Sequence, residues 1–287
     1  MIPAFPDART LLKKYDLYAK KSWGQNFLVS ERVYRAIVDA TVKSTFSTVV
    51  EVGSGLGTLT MRLAQRLPDG QLVAVEREPD MLMVLKAELG ELDNVDIHAA
   101  DAMKYDYAAI AKWRGEKIAV CGNLPYQIAS QILFRLLDQR EHITHVVAMI
   151  QKEMADRMVA PAGIKAYGAL TVIMSAYADI RTVVQASAED FSPPPRVNST
   201  VIKLDILDKP RAPISDSKEF SSVVHAGFAQ RRKTLRNSLQ SKYDKEIVLG
   251  ALDHVGIDGG RRGETLSVEE FAALTESVLL ATKSRDA

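Results

Sequence analysis

Hydrophobic positions between residues 48 and 150 follow two alternating periods. Short apolar runs at 48–52, 72–75, 95–98, 118–121 and 146–150 read as strands buried in a sheet. Between the first two, Leu59, Leu63 and Leu67 recur every four residues, which predicts a helix with one apolar stripe. Residues 81–89 and 130–137 also read as helices, and Pro68-Asp69-Gly70 is turn chemistry. Strands alternating with helices predict a parallel sheet wrapped on both faces.

The pattern changes after residue 150. Runs at 182–184 and 200–206 are separated by Ser192-Pro193-Pro194-Pro195 rather than by a helix. They predict an antiparallel hairpin at one edge, which makes the sheet mixed but mainly parallel. Residues 208–213 read as a linker, and beyond them the strand pattern disappears. Residues 222–229, 234–241, 245–255 and 268–280 read as helices, the last opening on Ser267 and Glu270 at capping-box spacing. The expected organisation is a doubly wound α/β domain over 1–207 and a small all-α domain over 208–287.

Composition narrows the function classes. With 47% apolar and 25% charged residues, 287 positions suit one large core and a smaller domain. The one cysteine, Cys121, excludes an intramolecular disulfide framework and favours a reducing compartment. No leader-like segment opens the chain and no apolar run approaches the roughly 20 residues of a membrane span, so a cytoplasmic monomer away from membranes is expected. The net charge is +1, from 37 basic and 36 acidic residues, so any nucleic-acid contact must come from local patches. One such patch is Lys13, Lys14, Lys20 and Lys21. The other is Arg231, Arg232, Lys233 and Arg236, with no acidic residue across 230–243. On a helix, Arg232 and Arg236 would be i,i+4 neighbours in a basic stripe suited to phosphate contacts, as against an ordinary solvated face. His142 and His145 lack a Cys or acidic partner at ligand spacing. They read as surface or strand-edge residues, and no metal is expected.

The candidate chemistry lies at strand ends. Glu51-Val52-Gly53-Ser54-Gly55-Leu56-Gly57 joins the first strand to the first helix, where glycines allow a sharp turn and close approach to a ligand. Thr58 stands where a dinucleotide fingerprint needs glycine or alanine. The loop instead suits the amino-acid part of S-adenosylmethionine, which has no pyrophosphate. Glu76 ends the second strand, where a carboxylate can accept ribose hydroxyls, and Asp101 follows the third, where it can meet an adenine amino group. Each also has a plain reading, Glu76 as a solvated strand-end acid and Asp101 as a helix N-cap.

Asn123-Leu124-Pro125-Tyr126 follows the fourth strand. An exocyclic adenine nitrogen is a poor nucleophile because its lone pair is delocalised into the ring. Acceptors on its N–H groups let it pyramidalise. The Asn123 side-chain oxygen and the Leu124 carbonyl supply two, Pro125 stiffens the turn, and Tyr126 offers a face for an extruded base. A bare β-turn is the simpler alternative for the tetrapeptide alone. Phe191 reads by itself as an apolar anchor before the proline-rich loop.

Together with Lys21-Ser22-Trp23-Gly24-Gln25-Asn26-Phe27-Leu28, Gln151-Lys152-Glu153, Phe191-Ser192-Pro193-Pro194-Pro195 and Gln230-Arg231-Arg232-Lys233-Thr234, these motifs resemble those of the ribosomal RNA adenine N6-dimethyltransferases. The likeness is to their bacterial small-subunit branch and runs from about residue 20 onward, through Ile257-Asp258-Gly259 and Arg261-Arg262-Gly263-Glu264. The resemblance implies a Rossmann-like class I methyltransferase fold. It further implies that Asn26, Leu28, Gly53, Gly55, Glu76, Asp101 and Asn123 hold S-adenosylmethionine and that Phe191 stacks on the base opposite Tyr126. The helical domain would then bind RNA. The implied substrate is a pair of adjacent adenines in a hairpin loop near the 3′ end of 16S RNA, within an immature 30S subunit, with a role in subunit biogenesis. Ser54, Arg77 and Gln127 depart from residues common in the family, which are Pro, an apolar residue and Asn. A macrolide-resistance 23S methylase is one alternative, although those enzymes typically carry Ile at the position of Leu124. A DNA adenine methyltransferase and an assembly factor acting mainly by binding are two others.

Overall fold

The computed structural model describes residues 5–20, 25–42 and 47–286; Lys21 to Gly24 of the first motif lie outside them. By contact the chain divides into two units, Met1–Ala155 with Ile180–Ile206, and Asp156–Asp179 with Leu207–Ala287.

In chain order the elements up to the sixth strand are α1 (Ala8–Lys14), β1 (Phe27–Leu28), α2 (Glu31–Thr41), β2 (Thr48–Val52), α3 (Thr58–Arg66), β3 (Gln71–Glu76), α4 (Pro79–Leu89), β4 (Val95–Ala99), α5 (Tyr107–Arg114), β5 (Ile118–Asn123), α6 (Ala129–Asp138) and β6 (Ile143–Gln151). There follow α7 (Lys152–Met158), α8 (Ala169–Ser175), β7 (Ala178–Ala186), β8 (Phe191–Ser192), β9 (Ser199–Ile206), α9 (Ser217–Phe228), α10 (Leu235–Leu239), α11 (Lys245–His254) and α12 (Val268–Asp286). Among the described residues, seven strands form one sheet in the order β4-β3-β2-β5-β6-β9-β7. Strands β4, β3, β2, β5 and β6 pair in parallel, whereas β9 runs antiparallel to β6, so the sheet is mixed as expected.

Burial explains the periods. β2 is buried along its whole length, as a strand covered on both faces must be. Leu59, Leu63 and Leu67 are all buried, and α2 adds Val33, Tyr34, Ile37 and Val38 to the same core. Pro79 starts α4, where its missing N–H is no loss. Successive strands from β2 step one way through β3 and β4, and from β5 the other way through β6. The order therefore reverses between the carboxyl ends of β2 and β5, the point at which open α/β sheets bind ligands.

The second segment of the helical unit, from Leu207, begins beside the expected 208, but the unit also takes in an earlier stretch of chain. Asp156–Asp179 joins it because α8 buries Val172, Ile173 and Met174 and packs against α9 and α12. Aromatic contacts reinforce this unit, with Tyr177 edge-on to Phe220 at 6.4 Å and Phe228 stacked on Phe271 at 5.6 Å. The Ser267–Glu270 box closes reciprocally, with Ser267 N donating to Glu270 Oε2 at 2.8 Å and Glu270 N to Ser267 Oγ at 3.1 Å. No described helix is long and apolar enough to cross a membrane.

Two local expectations are corrected. Arg231, Arg232 and Lys233 lie in the turn before α10, because Thr234 caps that helix by accepting from Asn237 N. They cannot share a helical stripe with Arg236. His145 is a buried strand residue rather than a surface one, with Nε2 2.8 Å from the Thr41 carbonyl at the end of α2.

Candidate active site

A cavity of about 420 Å³ opens at the switch point of the sheet. That volume is within the range of small-molecule sites. Its lining includes Asn26, Leu28, Gly53, Gly55, Glu76, Asp101, Asn123, Leu124, Pro125 and Tyr126, so residues spread over a hundred positions of sequence face one space.

The glycine loop forms the wall below β2. Gly53 and Gly55 have φ of 71° and 55°, a region that costs an ordinary side chain about 1–2 kcal/mol. Gly53 N–H donates to the Val75 carbonyl at 2.8 Å, tying the loop to β3. Next to it, the Glu76 carboxylate accepts from Gly55 N at 2.9 Å, Arg77 N at 2.7 Å and Glu78 N at 2.8 Å. These bonds aim the carboxylate at the cavity before any ligand arrives. Asp101 accepts from Met103 N at 2.9 Å, a short local turn rather than the cap of a long helix. Its other oxygen lies 3.4 Å from Arg77 Nη1. The Arg77 departure thus sets a cation against an acid expected to meet the adenine.

The loop after β5 is fixed from both sides. Leu124 N–H donates to the Met149 carbonyl of β6 at 3.1 Å, which orients the peptide whose carbonyl follows. Ile128 N–H closes the turn on the Pro125 carbonyl at 3.1 Å. Asn123 Nδ2 donates to the Asn26 carbonyl at 3.4 Å, which assigns the amide's other atom, Oδ1, as an acceptor. Tyr126 is half-buried, and burial raises its phenol above the ordinary value while a hydrogen bond with Ser199 pulls it back.

Glu51 lies beneath the glycine loop, 2% exposed, and accepts from Thr60 Oγ1 at 2.6 Å. Burial pushes its carboxyl up to about 8, against the hydrogen bond from Thr60. Burial therefore favours its protonated form, a property that no local sequence pattern marks.

Several expected residues lie elsewhere. Phe191 does not line the cavity; it is 2% exposed, registers with Leu28 between β8 and β1, and packs in the core. Of the early lysines, Lys14 pairs with Glu88 at 2.5 Å, and Lys20 with Glu78 and with Asp80, the latter at 2.8 Å. Lys21 lies outside the described residues. Arg231, Arg232, Lys233 and Arg236 are exposed, but Arg231 donates to the Lys165 carbonyl at 2.7 Å and lies 3.8 Å from Glu264. Glu264 is far along the chain from Arg231, so no local sequence pattern pairs the two. Sequence reasoning also missed Gln25, Phe27 and Met81 on the cavity wall, which carry no chemistry that would mark them.

The fit to S-adenosylmethionine rests on the side-chain-free Gly53 and Gly55 cradle, on Glu76 and Asp101 as acceptors for hydroxyl and amino groups, and on the cavity's volume. Comparison with known proteins agrees. A family profile described as ribosomal RNA adenine dimethylase matches residues 17–279. A ribosomal RNA small subunit methyltransferase A from Myxococcus xanthus is 43% identical over 94% of both chains. Among solved structures, the 23S rRNA methyltransferase ErmE is 26% identical with a TM-score of 0.65, over 88% of this chain and 99% of its own. A dimethyladenosine transferase from Plasmodium falciparum shares the fold, with a TM-score of 0.71 at 24% identity over 90% of this chain and 98% of its own. With a profile match over most of its length and a relative this similar, the chain belongs to the ribosomal RNA adenine dimethylase family.

Proposed function

We propose that this protein transfers methyl groups from S-adenosylmethionine to N6 of two adjacent adenines in the hairpin loop near the 3′ end of 16S RNA, in the cytoplasm and within immature 30S subunits. The observation that carries the reading is the single cavity joining the glycine loop and its ordered acids to Asn123-Leu124-Pro125-Tyr126. The small-subunit relative, more similar to this chain than ErmE, supports the 16S target over a 23S one.

Gly53 and Gly55 would lie against the amino-acid part of the cofactor, Glu76 would accept from its ribose, and Asp101 would accept from its adenine once Arg77 yields. Asn26 and Leu28 would complete the wall. When bound, the cofactor supplies an electrophilic methyl on a sulfonium. Asn123 Oδ1 and the Leu124 carbonyl accept hydrogen bonds from the target amino group, which localises the lone pair and aims it. Tyr126 stacks on the extruded base, worth about 1–3 kcal/mol. Transfer produces a neutral thioether, so the proton can leave to solvent afterwards and no strong general base is needed.

Phe191 would serve as a second stacking face only after its ring leaves the core. Arg231, Arg232, Lys233 and Arg236 in the helical unit would contact RNA phosphates, with Arg231 released from Glu264.

Incubating the protein and labelled cofactor with immature 30S particles and naked 23S RNA together tests the target. Mass mapping should find dimethyladenosine at two neighbouring positions near the 16S 3′ end. Label confined to 23S RNA overturns the 16S assignment, and an Asn123→Ala variant that loses transfer yet restores subunit assembly would make binding the main role.

A further inference from the structure

Tyr126 and Ser199 belong to different elements and stand 73 residues apart, yet Tyr126 Oη and Ser199 Oγ are 2.6 Å from one another. Ser199 is fully buried at 0% exposure. Its backbone is held twice over. It registers with Gln151 as the first residue of β9, and the preceding carbonyl, of Asn198, accepts from Lys152 N at 2.9 Å. Because β9 runs antiparallel to β6, it starts where the parallel strands end, at the ligand side of the sheet.

The two partners differ in what the bond does for them. A phenol at the edge of an open cavity could be satisfied by water, so Tyr126 does not require Ser199 to avoid a buried polar penalty. A tyrosine ring anchored only at Cβ turns about two side-chain bonds. Fixing the phenol oxygen, which lies on the ring's long axis, fixes the direction of that axis, and because the conjugated phenol bonds in the plane of its ring, the side from which Ser199 approaches biases the plane about it.

We propose that Ser199 is a positioning residue, which by holding the Tyr126 phenol holds in place the ring on which the target adenine stacks. The proposal rests on the reading of Tyr126 as the stacking face. It ties the start of β9, directly after the proline-rich loop, to the catalytic turn after β5.

The test is a double-mutant cycle of Tyr126→Phe and Ser199→Ala. Single-turnover methyl transfer is measured on immature 30S particles, and stacking by the fluorescence of 2-aminopurine placed at the target position of an RNA fragment. Each single variant should slow transfer about 3–10-fold, the worth of one net hydrogen bond, and the double variant should be no slower than the slower single one. Quenching of the probe should weaken in all three, cofactor affinity by calorimetry should be unchanged, and Ser199→Thr should restore both quenching and rate. Additive losses, wild-type rates, or slowed transfer with undiminished quenching overturn the proposal. If Ser199→Ala does not fold, Tyr126→Phe with wild-type rate and quenching overturns it alone. Wild-type protein that methylates no ribosomal RNA refutes the functional reading instead, before any variant is compared.

Discussion

Replacing Glu51 with glutamine separates a buried proton from the rest of the site. The carboxyl is 2% exposed below the glycine loop, and burial raises it from 4.5 to about 8, with the Glu76 charge adding to the rise. Between those values the native protein keeps a proton that the unfolded chain has released. The stability linked to that proton is fully present below about pH 4.5 and is lost as pH rises through about 8. At about 1.4 kcal/mol per pH unit, the rise caps the effect near ~5 kcal/mol. The side-chain amide of the Glu51→Gln variant would still offer Thr60 an oxygen to bond, but it has nothing to ionise. Urea unfolding of both proteins from pH 5 to pH 9 is the assay, since every other group titrates alike and cancels. The variant should gain several kcal/mol on the wild type between those limits. Stability curves that stay parallel within about 0.5 kcal/mol, inside the uncertainty of the extrapolation, would refute the neutral buried carboxyl.

Asn123→Ala should reduce single-turnover methyl transfer by about 10²–10³-fold, the usual cost of removing one preorganised hydrogen-bonding group at a reacting centre. A rate within a factor of about ten of wild type would count against its role. Arg232→Glu combined with Arg236→Glu should weaken RNA binding and lower the salt slope by about 1 per lost phosphate contact while cofactor affinity holds; unchanged RNA affinity would remove the patch from the interface. Gly122→Ala would set a Cβ 2.4 Å from the Val52 carbonyl oxygen, forcing β5 from β2 at the switch point. A loss of about 2 kcal/mol or more in urea unfolding, with a matching loss of cofactor binding, is expected there.

Much of the cofactor end was legible because its signals are local. A glycine run after an apolar strand, then acids at the next two strand ends, are short patterns whose spacing follows from sheet geometry. The tetrapeptide after β5 is legible for the same reason, since its four residues are contiguous and Asn123 to Tyr126 all line the cavity. Helices α1, α2, α5, α7 and α8 went unread, as did the assignment of Asp156–Asp179 to the helical unit. Their burial depends on which distant surface covers them. The basic run shows the limit most clearly. Its charges are plain in the sequence, but Thr234 caps the helix after them and Glu264 reaches Arg231 from a distant part of the chain.

By itself, then, the chain's order of residues determined the alternating architecture, the mixed sheet edge and the strand-end groups that line the cavity. Period and turn chemistry act over a few residues, so they survive without tertiary context. Only the fold decided that Asn26 faces Asn123, that Arg77 stands against Asp101, that Phe191 rests in the core and that Ser199 holds Tyr126. Each of those pairings or placements depends on strand order and register, which bring together residues that no sequence spacing connects.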